Sequence, residues 1–415
     1  MQRLGRQLAA CVAIVAVSAG AGCSEGGAPG GKHSRTAIIT VDKSDALADE
    51  PVHMRIRGLT SNEQVTVTTR VTDARGMAWS GRAVFTADAK GLIDLDHARP
   101  RTGTYRGADG MGLFWSMTPG TGDPDTTSIA LTDPQHNPFY EIRVAVASGG
   151  RTIAQRMLTR TFQARTVRHE ELTNTKDGLS GELFLPPTGA PRRAPVLLLG
   201  GSEGGVTPVS LFRAALLASR GHPALALCYF GCPGRPEYLA DVSLEYIAGA
   251  ARFLRAQPQA DPRRLMVAGA SRGSEAAQLM AQYYPDLVRD AVVYAPSRNT
   301  NGVYPINCCG KQAAWTKGGK SLNLVPIPLD HVRGTVLAVA GGADSVWGSL
   351  SSARSIAQQP NASGRKAKAL LYPKAGHGIG GFPYLPLGVD GGGTRAANEN
   401  SRESSWPQLL QLLEQ

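Results

Sequence analysis

The chain has 415 residues, 42% of them hydrophobic and 19% charged, with a formal net charge of +11. That length exceeds what one hydrophobic core usually serves, and that balance excludes a disordered or low-complexity chain. The excess lysine and arginine is scattered, without a dense run or aromatic interleaving, so it reads as solvated surface and gives no support for nucleic-acid binding.

Residues 1–22 read as a signal peptide. Arg3 and Arg6 precede an apolar run from Leu8 to Val17, too short to span a bilayer but suited to export. Small residues Ala19 to Gly22 then lead into Cys23, a pattern similar to a bacterial lipoprotein signal, in which that cysteine becomes the lipidated first residue of a membrane-anchored chain. Gly20 stands where a larger apolar residue is usual, so simple cleavage and secretion is the second reading. Residues 23–35 are glycine-rich and read as a flexible tether. Cys11 leaves with the signal and Cys23 carries lipid. Cys228, Cys232, Cys308 and Cys309 remain, enough for two disulfides in an oxidising compartment with connectivity undetermined. No histidine stands at ligand spacing near either pair, so a metal ranks below disulfides and no cofactor is expected.

Residues 36–165 alternate apolar and polar positions in short runs: Val52 to Ile56, Val65 to Val71, Ala83 to Phe85 and Tyr140 to Val146. Such runs, broken by turn residues and without a long helical pattern, predict an all-β immunoglobulin-like sandwich. Gly103 to Gly107 and Met111 to Met117 are unusually apolar, and fit either a surface packed against the next domain or a sandwich core strand.

From residue 166 to 415 strands alternate with helices, which predicts a largely parallel sheet covered on both faces. The strands expected are Leu183 to Leu185, Pro195 to Leu199, Ala224 to Tyr229, Leu265 to Ala268, Ala291 to Tyr294, Thr335 to Ala340 and Ala369 to Tyr372. Helices are expected over about Val209 to Arg220, Val242 to Ala256, Glu275 to Tyr284 and Trp406 to Leu413. A long Gly- and Asn-rich excursion carrying Cys308 and Cys309 separates Tyr294 from Thr335, and loops of that length are usually lids or insertions.

The chemistry centres on Gly269-Ala270-Ser271-Arg272-Gly273, a G-x-S-x-G sequence placed between an apolar strand and a helix. Small residues two before and two after the serine let strand and helix pack around a sharp turn that lifts the hydroxyl above the sheet. Serine needs a base, and an α/β-hydrolase fold supplies acid and histidine later in the chain. After Ser271 only His331 and His377 remain; His331 precedes a strand, at the wrong sheet edge, whereas His377 follows the last strand. Its small neighbours predict a mobile, exposed loop. Asp344 follows the preceding strand, where a carboxylate can orient the imidazole. Gly200 to Gly205 lacks the spacing of a phosphate loop, and instead suits an oxyanion hole made by the backbone N–H of Ser202 or Glu203 with that of Arg272. The Arg272 side chain is expected to face solvent rather than to contact an anionic substrate group.

With these residues in place, the chain resembles the acyl-CoA thioester hydrolases and bile acid-CoA:amino acid N-acyltransferases over about residues 40 to 413. The resemblance runs through Gly58-Leu59, Met111 to Met117, Ala226 to Gly231, the elbow, Gly341 to Trp347, Ala375-Gly376-His377 and Gly393 to Trp406. It implies a triad of Ser271, Asp344 and His377, an acyl-CoA substrate and, because the nucleophile is serine rather than cysteine, hydrolysis rather than acyl transfer to amines. The alternatives are an exported carboxylesterase or acyltransferase acting on envelope lipids, and a surface binding protein on the same scaffold without turnover. Export and paired cysteines depart from a family that works where acyl-CoA is present.

Overall fold

The computed structural model describes residues 36–311, 313–364 and 367–415. The signal peptide, Cys23 and the tether lie outside the described residues. Residues from Thr36 to Gln415 form one compact unit, within which a β-rich part precedes an α/β part.

In the β-rich part, Ile38–Val41, Met54–Arg57 and Ile93–Asp94 make a 3-stranded antiparallel sheet. A 7-stranded sheet runs through Asp45–Leu47, Arg151–Thr161, Phe139–Ser148, Gln64–Thr72, Ala78–Thr86 and Thr102–Gly103, with Thr118–Pro119 beside Ala78–Thr86. Strict alternation decides the buried face: Val65, Val67, Thr69 and Val71 point inward along one strand. The core they line contains Trp79, Phe85, Met54, Ile56 and Phe114.

The apolar Met111 to Met117 segment is not a strand. Gly112–Trp115 forms one buried helical turn, seated on the sheet by a bond from Thr69 Oγ1 to Leu113 O (2.5 Å). A side chain at Gly81 would lie 2.3 Å from that carbonyl, which is why glycine stands there. On its far side the turn receives Arg395 Nη2, which donates to Trp115 O (3.0 Å) and Met117 O (2.6 Å). The segment therefore joins the β-rich part to the α/β part.

The α/β part is built on an 8-stranded sheet. In chain order its strands are β1 (Arg168–Leu172), β2 (Gly181–Leu185), β3 (Val196–Leu199), β4 (Ala224–Leu227), β5 (Met266–Ala270), β6 (Asp290–Tyr294), β7 (Val336–Gly341) and β8 (Lys368–Tyr372). Their spatial order is β1-β2-β4-β3-β5-β6-β7-β8, antiparallel at the β1-β2-β4 edge and parallel from β4 to β8. This mixed sheet is the α/β-hydrolase arrangement. Successive residues of β5 enter opposite cores, Val267 on one face and Met266 with Ala268 on the other, so the strand reads as an unbroken apolar run. Helices α2 (Leu244–Arg255), α3 (Arg272–Tyr283) and α4 (Ser349–Gln358) cover the first face; α1 (Pro208–Ser219) and α5 (Arg395–Glu414) cover the second.

Several elements were not anticipated in full, among them helix α4. β1 has a polar sequence, RHEEL, and earns its place only by pairing with β2 at the edge. Helix α5 begins at Arg395 rather than at Trp406. Its first half buries Asn398, Glu399, Ser401, Arg402 and Ser405, so an apolar period never marks the buried face.

Candidate active site

Three loops at the C-terminal edge of the sheet converge on the elbow between β5 and α3. Ser271 has φ 53 and ψ −121, a conformation that costs a non-glycine residue about 1–3 kcal/mol and persists only where packing enforces it. The enforcing contacts are backbone to backbone. A Cβ at Gly269 would lie 2.0 Å from Gly273 O, and one at Gly273 would lie 2.2 Å from Gly200 O. The Ser271 N–H donates to Tyr294 O at the end of β6 (3.0 Å).

Asp344 and His377 are brought together after β7 and β8. His377 Nδ1 lies 2.9 Å from Asp344 Oδ2, and the Asp344 side chain is 1% exposed. The other carboxylate oxygen accepts the N–H groups of Val346 (2.9 Å) and Trp347 (3.2 Å). Burial pushes the Asp344 carboxyl up, but the bonds from His377 and Ser349 outweigh it, and its pKa is lowered overall. The carboxylate is thus ionised and oriented toward the imidazole.

The His377 loop is pinned rather than mobile and exposed. Its N–H donates to Gly391 O (2.9 Å), and a Cβ at Gly376 would lie 1.8 Å from Gly392 O. The neighbouring small residues serve close backbone packing against Gly391, Gly392 and Gly393, all at positive φ. The His377 side chain is 14% exposed. Three residues on, Gly380 rests against Tyr294 and Ala270, which seats the histidine loop on the neighbours of Ser271.

The Gly200 to Gly205 loop also reaches Ser271: a Cβ at Gly201 would stand 3.2 Å from Ser271 Cβ. Its Gly201 N–H donates to Glu203 Oε1 (3.1 Å), while Tyr229 Oη donates to Gly200 O (2.6 Å) and Gly201 O (3.3 Å). Tyr229 stands in the turn closed by the Cys228–Cys232 disulfide. Sequence reasoning missed Gly201 and Tyr229; the Gly200-Gly201 doublet and the aromatic pair Tyr229-Phe230 were the available signals. Arg272 begins α3, where helix geometry leaves its N–H without an intrahelical acceptor.

The Arg272 side chain does not face solvent. It is 5% exposed, within 3.0 Å of Glu275, and donates to Asn301 O (3.0 Å) and Gly302 O (2.7 Å). Glu275 in turn accepts from Asn301 Nδ2 (2.7 Å) and Trp315 Nε1 (2.8 Å). A charge at the first turn of a helix finds a closer partner at i+3 and on the folded-back excursion than in water. The excursion is thereby fastened to helix α3, which follows Ser271.

Of the four cysteines considered for disulfides, Cys228 and Cys232 are bonded, with Cα atoms 6.4 Å apart. Cys308 and Cys309 are thiols whose sulfurs lie 2.7 Å apart. Adjacent residues hold their Cα atoms about 3.8 Å apart, below the usual disulfide span. Among the described residues no group of three or more His, Cys, Asp or Glu side chains could hold a metal ion.

Residues 49–174 match the family model for the acyl-CoA thioester hydrolase/BAAT N-terminal region, and residues 312–415 match the BAAT/acyl-CoA thioester hydrolase C-terminal model, which spans Asp344 and His377. The chain is 29% identical to rat acyl-coenzyme A thioesterase 1, covering 82% of this chain and 84% of that protein. Mouse acyl-coenzyme A thioesterase 3 is 27% identical over 90% of this chain and 92% of its own. Rat acyl-coenzyme A amino acid N-acyltransferase 2 is 29% identical over 83% and 87%. Among solved structures, a dienelactone hydrolase from Klebsiella pneumoniae superposes with a TM-score of 0.42 at 18% identity, over 60% of this chain and 99% of its own.

Proposed function

Because the chain belongs to the acyl-CoA thioester hydrolase/bile acid-CoA:amino acid N-acyltransferase family, we propose that it is a serine-dependent acyl-CoA thioester hydrolase working through an acyl-enzyme. It is an enzyme of the hydrolase class. The observation that carries the serine mechanism is the pinned His377–Asp344 pair seated on the neighbours of a strained Ser271. In this reading Ser271 Oγ attacks the acyl carbonyl carbon as His377 Nε2 takes its proton, and Asp344 holds the opposite ring nitrogen as N–H. The N–H groups of Arg272 and of Ser202 or Glu203 receive the oxyanion. Collapse expels the thiol with the proton from His377. Water, deprotonated by the same imidazole, then releases the carboxylic acid and restores Ser271.

The β-rich part, residues 36–165, is read as an immunoglobulin-like domain on the support of its two sheets and single core, with residues 166–415 as the catalytic domain. A second reading concerns place and substrate. The Cys228–Cys232 disulfide suits an oxidising compartment and supports export, with Cys23 as lipid anchor and an envelope ester in place of acyl-CoA. Fractionation of cells making wild type and Cys23→Ser tests the anchor: release of the variant from membranes is expected.

The enzyme is tested by fluorophosphonate labelling of residues 36–415, comparing wild type with Ser271→Ala and using acyl-CoA and simple esters as competitors. Labelling that disappears in the variant and is blocked by acyl-CoA supports the thioesterase. Protection by esters alone keeps the mechanism and moves the substrate. A folded wild type that does not label sinks the serine mechanism and leaves a binding protein on this scaffold.

A further inference from the structure

Trp347 links the Asp344 and His377 loops to the turn after β6, and neither the elbow nor the acid–histidine pair accounts for it. Its backbone N–H donates to Asp344 Oδ1 (3.2 Å), beside that of Val346. Its indole Nε1–H donates to Ala295 O (3.0 Å), and Ala295 follows Tyr294, whose carbonyl holds the Ser271 N–H. Its ring stands against the His377 imidazole, centroids 5.5 Å apart and planes at 77°. One side chain thus spans from the strand beside the nucleophile to the base, while its own main chain orients the acid.

We propose that Trp347 is a positioning residue for His377: its indole, fixed by the bond to Ala295, braces the imidazole on a side that Asp344 does not reach and holds it in place for the proton transfers of acyl transfer. The proposal rests on the reading of Ser271, His377 and Asp344 as a triad. Asp344 grips one ring nitrogen and leaves the imidazole free to swing about that bond. A rigid aromatic wall at near-perpendicular contact removes that freedom, and edge-to-face contact places the electron-poor rim of one ring on the electron-rich face of the other. The bond to Ala295 holds the indole in its turn, so the wall does not move with the imidazole.

The test compares kcat and KM for wild type, Trp347→Leu and Trp347→Phe on one acyl-CoA thioester, with thermal melts to establish folding. Trp347→Leu is expected to lower kcat about 10-fold or more with KM within roughly 2-fold, as misplacement of a catalytic group does. Trp347→Phe, which keeps a ring but not the N–H, recovers part of kcat. Where Trp347→Leu does not fold, Trp347→Met takes its place with the same expected fall. A kcat unchanged in the folded variants overturns the proposal, as does identical behaviour of the aliphatic and Phe variants. Fluorophosphonate labelling at Ser271 separates the two levels. Wild type that labels, beside variants with unaltered kcat, defeats only the role of Trp347; wild type that does not label defeats the triad and this role with it.

Discussion

Asp344 and His377 lie 33 residues apart in sequence and 2.9 Å apart in space, with the carboxylate buried and its second oxygen taken by two backbone N–H groups. The carboxylate is oriented by the main chain that follows it, so its own rotation is not available to loosen the imidazole.

Asp344→Asn tests that coupling. The amide keeps the size of the carboxylate but can present its N–H to Nδ1, which favours the imidazole tautomer unable to accept the serine proton. A fall in kcat on the order of 10³–10⁴-fold with the fold retained is expected from steady-state kinetics and circular dichroism.

The elbow depends on missing side chains. Gly273→Ala places a methyl within 2.2 Å of Gly200 O and 2.5 Å of Leu199 O. Backbone on both sides cannot yield cheaply, so a loss of roughly 1–3 kcal/mol in urea unfolding and loss of labelling at Ser271 are expected. Gly249, inside α2, meets nothing within 4 Å of an added Cβ. There Gly→Ala is expected to stabilise by about 0.4–1 kcal/mol with activity unchanged.

Asp73 governs the acid side of stability. Burial works against its charge, but N–H groups of Ala130 and Met77 and the side chains of Arg75 and Trp79 outweigh it and lower its pKa to about 2 from 3.8. A depressed carboxylate stabilises the fold above its unfolded pKa and loses that contribution as pH falls through the folded one. Asp73→Asn is therefore expected to be less stable than wild type at pH 7 by about 2 kcal/mol, the difference shrinking as pH falls from about 4 toward 2. Urea midpoints at pH 7, 4 and 3 read this directly.

Glu403 acts with the opposite sign. It lines a 500 Å³ cavity with Asp109 and Glu399, and burial together with those two carboxylates raises its pKa to about 7 from 4.5. The folded state holds a proton that the unfolded chain releases, so this stabilising contribution is full below pH 4.5 and is lost as pH rises through 7. Glu403→Gln is expected to leave the melting temperature unchanged near pH 4 and to raise it at pH 8.5. Equal effects at both pH values would show that the cavity does not hold this proton.

Much of the arrangement of the candidate site was legible because each part is a local statement. Gly-x-Ser-x-Gly between a strand and a helix, a histidine after the last strand and an aspartate after the one before are features of short segments whose periods announce them. The parallel strands declared themselves as apolar runs for the same reason. Arg272 was misjudged because its surroundings come from Asn301, Gly302 and Trp315, on an excursion whose return to α3 no period encodes. The first half of α5 was missed because its buried face is made of ion pairs and hydrogen bonds, such as Glu399 with Arg402 (2.8 Å). The close packing around His377 was not foreseen for a related reason: glycine permits both mobility and close backbone contact, and the sequence does not show the partner segment.

By itself the amino-acid sequence determined the alternation of strands and helices, the placing of Ser271, Asp344 and His377 after successive strands, and the family resemblance, since hydrophobic period and motif spacing are properties of neighbouring residues. Tertiary structure alone decided that Arg272 turns inward, that the first half of α5 buries its polar face, and that Trp347 bridges His377 to the strand beside Ser271. Those outcomes depend on distances between segments far apart in the chain, and such distances are set by how whole layers pack.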